Sequence, residues 1–185
     1  FGEDPYLASR MGVAYVQGLQ GASLAGGIVA TGKHFVGYGA PEGGRNWGPC
    51  PIPPRELRDR FLVPFAAAIR EAGLASVMNG YHEIDGVPCA GSKALLTDIL
   101  RGELGFDGTV VADYYSVACL CTFHRVADSQ GEAAVRALEA GLDVELPARD
   151  CYAEQLEQAL AAGQIDIEVI DLRSLWPYDW DLITE

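Results

Sequence analysis

The chain has no initiator methionine: it opens on Phe1-Gly2-Glu3-Asp4-Pro5, with neither a basic n-region nor an apolar h-region. Its native N-terminus, and any targeting segment, are therefore expected to lie outside this sequence. Long hydrophobic runs are missing as well. Lys, Arg, Asp and Glu recur before any window reaches the roughly 18 apolar residues that a membrane-spanning helix requires. Basic residues are scarce, 13 Lys and Arg against 26 Asp and Glu, for a formal net charge of −13. Such a balance repels phosphate backbones and anionic lipid surfaces, so neither nucleic acid nor membrane is an expected partner. The acidity is spread over helical segments such as Glu154 to Glu157, as on a solvated surface.

A disulfide framework is also absent. Five cysteines (Cys50, Cys89, Cys119, Cys121, Cys151) are an odd number at irregular spacing, which favours a reducing setting such as the cytoplasm. Cys119-x-Cys121-x-x-His124 has no second paired cluster to complete the four ligands of structural zinc, so ordinary thiols are expected and no metal. The glycines from Gly37 to Gly44 lack both the Lys-Ser/Thr ending of a P-loop and the dinucleotide fingerprint. No cofactor is expected.

What is present is a core. With 185 residues and 49% hydrophobic content, the chain is sized for one domain. Apolar runs at residues 27–32, 75–79, 109–112 and 142–146 read as strands; they lack strict alternation, as parallel strands covered on both faces do. Helical patterns run from Pro5 to Leu19, Arg55 to Ala72, Ser92 to Leu104, Gly131 to Ala140 and Tyr152 to Ala162. Pro53-Pro54 suits a first turn, Ser92 a cap, and Gly73, Gly141 and Gly163 helix stops. Alternating strands and helices predict an α/β fold with right-handed crossovers, open or closed into a barrel. Four strands make about half of a (β/α)8 TIM-type barrel and leave two sheet edges open.

In such barrels the reactive groups sit where strands end. The four predicted strands run into Lys33-His34-Phe35, Asn79-Gly80-Tyr81-His82-Glu83, Asp113-Tyr114-Tyr115 and Glu145-Leu146-Pro147. Asp113 follows Val110-Val111-Ala112 directly, so a rigid strand end orients its carboxylate as a nucleophile, a general base, a metal ligand or a turn residue. Lys33 and His34 bring donors and positive charge to the same mouth, to grip hydroxyls and keep a carboxylate ionised, unless they are a surface Lys beside a structural His. Lys33 could also serve as a Schiff-base lysine. Arg45 lies in a Gly-rich loop able to approach a ligand, and Trp47 beside it is either a sugar-stacking ring or a hydrophobic plug.

Several motifs in order then carry a resemblance: Phe1-Gly2-Glu3-Asp4-Pro5-Tyr6; Gly32-Lys33-His34-Phe35-Val36; Val77-Met78-Asn79-Gly80-Tyr81 with Ile84-Asp85-Gly86; and Gly105 through Tyr114. Together they resemble the N-terminal barrel domain of glycoside hydrolase family 3, the β-glucosidase and β-xylosidase family, over residues 1–165. The resemblance implies that Asp113 is the catalytic nucleophile, with Ala112 where members have Ser. It implies that Lys33, His34 and Arg45 bind substrate hydroxyls and that the Tyr81 hydroxyl lies beside the nucleophile. Tyr114 stands where many members carry a sugar-stacking Trp.

The implied reaction is retaining hydrolysis of terminal non-reducing β-D-glucosyl residues, or β-xylosyl residues, through a covalent glycosyl-enzyme. The acid/base is then expected from a C-terminal domain outside this sequence; Glu83 and Asp85 are the nearby carboxylates, and the family pattern gives neither that role. A non-catalytic carbohydrate-binding fragment is the alternative. Residues 166–185 form an atypical tail. There Glu168 to Pro177 reads as a strand and turn, resembling a segment of 2-oxo acid dehydrogenase β subunits and transketolase-like proteins, and a fusion or join near Asp166 is expected.

Overall fold

The structure is a computed structural model and describes residues 1–165. The tail and its expected strand and join lie outside the described residues. Three parallel strands form the main sheet in the order β1 (Thr31–Phe35), β3 (Ser76–Asn79), β6 (Thr109–Val111), and Val144 adds a parallel bridge to Val111. Helices cross between them: α1 (Pro5–Gln20) packs on α3 (Val63–Ala72), which follows the short α2 (Pro54–Glu56) and a π-helical turn, Leu57–Phe61. A second π-helical segment, Ala94–Glu103, leads into β6, and α4 (Ser116–Thr122), α5 (Gln130–Ala140) and α6 (Ala153–Ala161) complete the chain. Four consecutive parallel positions with helical crossovers are part of a (β/α)8-type barrel, as expected.

The core lies between sheet and helices. Phe35, Val77, Val110 and Leu142, one from each strand position, are inaccessible to solvent, as are Leu96 and Leu100 of the wide helical segment. Truncating either leucine to Ala removes about 2–5 kcal/mol of stability, through lost transfer energy and the cavity left behind. Asp4 caps α1 by accepting from the Tyr6 N–H, and Ser92 accepts from Leu95 N–H ahead of the wide segment. Gly73 and Gly141 end their helices in the left-handed conformation that favours glycine.

Two strands differ from expectation. The first begins at Thr31 rather than at Gly27, because 27–30 is tied to the end of α1. Ile28 N–H donates to Leu19 O, the buried Gln20 side chain accepts from Ala30 N–H and Ala75 N–H, and Ile28 itself is 69% exposed. Lys33 and His34 therefore lie within β1. The predicted fourth strand is reduced to the Val144 bridge, since the Asp143 carboxylate, not a main-chain carbonyl, accepts from Val110 N–H at 2.7 Å.

A small second sheet, without a counterpart in the apolar runs, lies beside the first. β2 (Pro49–Cys50) runs parallel to β4 (Glu83–Ile84), which turns back into β5 (Val87–Pro88). Asp85 and Gly86 between them both have positive φ, the requirement of a tight two-residue hairpin turn. Pairing β2 with β4 carries the loop of Arg45 and Trp47 to the end of β3.

Candidate active site

Three strand ends converge on Asp113. Its carboxylate is 13% exposed and its Oδ2 lies 3.4 Å from His34 Nε2, itself 19% exposed. Oδ1 accepts from Tyr114 N–H at 2.8 Å, so the local turn fixes one oxygen and leaves the other facing β1. The turn is sharp. Asp113 O accepts from Ser116 N–H, and Tyr115 sits at φ 62 before α4 begins, a left-handed conformation for a bulky residue that its surroundings must impose. Tyr115 N–H donates to Leu146 O, which supplies part of that constraint.

Beneath the turn lies Asn79, wholly buried at the end of β3. Its Oδ1 accepts from Asp113 N–H (3.1 Å) and Ser116 Oγ–H (3.2 Å), and its Nδ2 donates to Gly80 O (2.8 Å). The sequence places Asn79 at a strand end and gives it no role. A polar amide closing an apolar run was the available signal.

Tyr81 stands on the other side of Asp113. Its hydroxyl donates to Tyr114 O at 2.7 Å, while burial, followed by the nearby Asp113 charge, pushes its pKa to about 12. The phenol thus stays protonated. Trp47 stacks on the Tyr81 ring at 4.8 Å with Phe123 edge-on to the indole at 5.0 Å, and His124 Nε2 donates to Tyr81 O at 2.9 Å. Trp47 remains partly exposed, so it braces Tyr81 and still presents ring surface. Phe123 and His124 reach the site through α4, a helix that the sequence pattern does not reveal.

His34 stacks on Tyr38 at 4.6 Å. Burial lowers its pKa, the Asp113 charge opposes that, and Lys33 lowers it further. The imidazole is therefore neutral at neutral pH, polarised toward the carboxylate. Lys33 is exposed beside it, and among the described residues its ammonium has no ion-pair partner. Arg45 is exposed on its loop and likewise forms no ion pair among the described residues, so the structure brings its loop but not its guanidinium onto Asp113. Tyr114 contributes its backbone, and the residue as a whole is 55% exposed.

Other carboxylates near the strand ends are engaged elsewhere. Glu145 accepts from the N–H groups of Cys151 and Tyr152, and Asp143 pairs with Arg101 at 2.7 Å. Glu83 and Asp85 belong to the β4–β5 hairpin. Of the Cys119, Cys121 and His124 group, His124 is committed to the Tyr81 carbonyl, and the described residues contain no cluster of metal-ligating side chains.

Fold and site together define a (β/α)-barrel protein with a carboxylate, an imidazole and a tyrosine gathered at its strand ends. Residues 1–174 match the glycosyl hydrolase family 3 N terminal domain, and the chain belongs to that family. It is 49% identical over 150 residues to a β-xylosidase of Formosa agariphila, covering 79% of this chain and 21% of that protein. It is 42% identical over 180 residues to the lysosomal β-glucosidase of Dictyostelium discoideum, covering 93% and 22%. The solved β-glucosidase of Erythrobacter marinus superposes with a TM-score of 0.86 at 43% identity, over 89% of this chain and 22% of that one. The chain spans about a fifth of the length of these relatives.

Proposed function

We propose that Asp113 is the nucleophile of a retaining β-glycosidase acting on terminal, non-reducing β-D-glucosyl residues. The observation that carries this is the half-fixed carboxylate: Oδ1 is held by its own turn, and Oδ2 is aimed across the strand ends toward the His34 imidazole, with the Tyr81 hydroxyl held nearby on Tyr114 O. Oδ2 attacks the anomeric carbon as the bond to the leaving oxygen breaks, giving a glycosyl ester that water then hydrolyses. Lys33, His34 and Arg45 bind the sugar hydroxyls, Tyr81 lies beside the attacking oxygen, and the exposed Tyr114 ring meets the leaving group. Leaving-group protonation requires a second carboxyl about 5–5.5 Å away, which we assign to a C-terminal domain of the complete protein. No cofactor enters this scheme.

The test is covalent trapping. The complete gene product is incubated with a 2-fluoro-β-glucoside inactivator and the labelled peptide is mapped; ester formation at Asp113 is expected, and label on any other residue refutes the assignment. A second reading, β-xylosidase activity, is favoured by the 49% identity to a protein of that name. Comparing kcat/KM for aryl β-glucoside and aryl β-xyloside separates the two.

A further inference from the structure

His82 is fully buried, and the chemistry above gives it no part. Its Nε2 lies 2.8 Å from Val36 O and its Nδ1 is buried with no hydrogen-bond partner among the described residues. Because a carbonyl only accepts, Nε2 carries the proton and Nδ1 is bare. Burying an unpaired polar atom opposes stability, so packing alone would favour an aliphatic residue here.

The backbone explains what the imidazole supplies. The register between β1 and β3 shifts between Lys33 and Phe35; Gly80 N–H still reaches Phe35 O at 2.9 Å, but Val36 O lies past the last ladder bond. His82 Nε2–H takes that place. Gly80 makes the room: a Cβ there would stand 2.5 Å from His82 Cε1 and 2.7 Å from Nδ1. Val36 is two residues beyond His34, and His82 directly follows Tyr81. One hydrogen bond thus ties the chain that carries His34 to the chain that carries Tyr81, the two side chains flanking Asp113.

We infer that His82 is a positioning residue, a side-chain substitute for a missing strand-ladder bond that sets the spacing of His34 and Tyr81 about the attacking carboxylate. This rests on the assignment of Asp113 as nucleophile. Small misplacement of reacting groups lowers turnover steeply, by as much as about 100-fold per ångström.

The experiment compares His82→Leu, His82→Asn and His82→Gln in the complete gene product on an aryl β-glycoside, with active sites counted by the 2-fluoro-glycoside. Gln extends its amide to about the Nε2 position, Asn falls short, and Leu has no donor. Expected are a kcat per trapped site at least about tenfold lower for Leu and Asn, and within about threefold of the parent for Gln. A purely structural role would change the number of trapped sites but not kcat per site. If the Leu variant does not fold, the Gln and Asn pair decides: equal kcat in those two overturns the inference. If Asp113→Asn is inactive while His82→Leu turns over at the parental rate, the inference fails alone. A parent without glycosidase activity, or an active Asp113→Asn variant, overturns the nucleophile assignment and this inference with it.

Discussion

Replacing Asn79 with Ala tests whether the turn bearing Asp113 is held from below. The substitution deletes an acceptor that serves Asp113 N–H and Ser116 Oγ–H, and a donor to Gly80 O, at a site with no solvent access. Each lost hydrogen bond removes about 0.5–1.5 kcal/mol net, and a donor left buried and unpaired removes more. The Ser116 hydroxyl is free to rotate, whereas the Asp113 N–H is fixed by the backbone. Adding about 1 kcal/mol for the vacated volume gives an expected loss of about 3 kcal/mol. Urea unfolding is the assay, read as a lower midpoint at unchanged slope. Ser116→Ala provides the internal control, since removing both groups should be less harmful than the sum of the separate losses, by about 0.5 kcal/mol or more. Turnover should also fall, because the conformation at Tyr115 depends on the same anchor. An Asn79→Ala protein within about 1 kcal/mol of the parent would refute the accounting, and strict additivity with Ser116→Ala would refute the shared hydrogen bond.

Asp113→Asn should abolish turnover and also lower the pKa of His34 further, because the carboxylate charge is what opposes burial there; histidine NMR titration reads this, and an unchanged or raised pKa contradicts the contact. His34, His82 and His124 are each held below the ordinary 6.5, with burial the leading cause. The unfolded chain therefore binds protons more readily, so their contribution is complete above pH 6.5 and is lost as pH falls through the lowered folded values. A urea midpoint that declines from about pH 7.5 toward about pH 5 is expected, with a shallower decline in His82→Gln, and a flat profile contradicts it. Gly80→Ala should destabilise by about 1–3 kcal/mol, since its methyl group meets the His82 ring in a packed interior; thermal unfolding checks this. Trp47→Ala frees the Tyr81 ring from its stacking partner and should raise KM for aryl glycosides more than it lowers kcat.

The alternation of strand and helix, and with it a parallel α/β sheet, is legible along the chain because apolar runs, caps and glycine stops are local signals; the choice of a barrel over an open sheet rests on the ordered family motifs. The sequence singled out Asp113 by a local signal too, since a carboxylate directly after Val110-Val111-Ala112 has one place to go. Its failures were also local in origin. Ile28 and Val29 read as strand on propensity, yet a long-range tether from Gln20 to Ala30 and Ala75 holds that segment outside the ladder. His34 and Tyr81 stand beside the carboxylate as the motifs imply, but how it is anchored and braced is set by the tertiary fold. Asn79, His82 and His124 act through hydrogen bonds to partners 34, 46 and 43 residues away along the chain. A one-dimensional pattern can mark Asn79 as a polar residue closing an apolar run, but not the distant backbone group that such a side chain must satisfy. The division is physical: burial and local propensity are written along the chain, whereas buried polar satisfaction is fixed when distant strand ends meet.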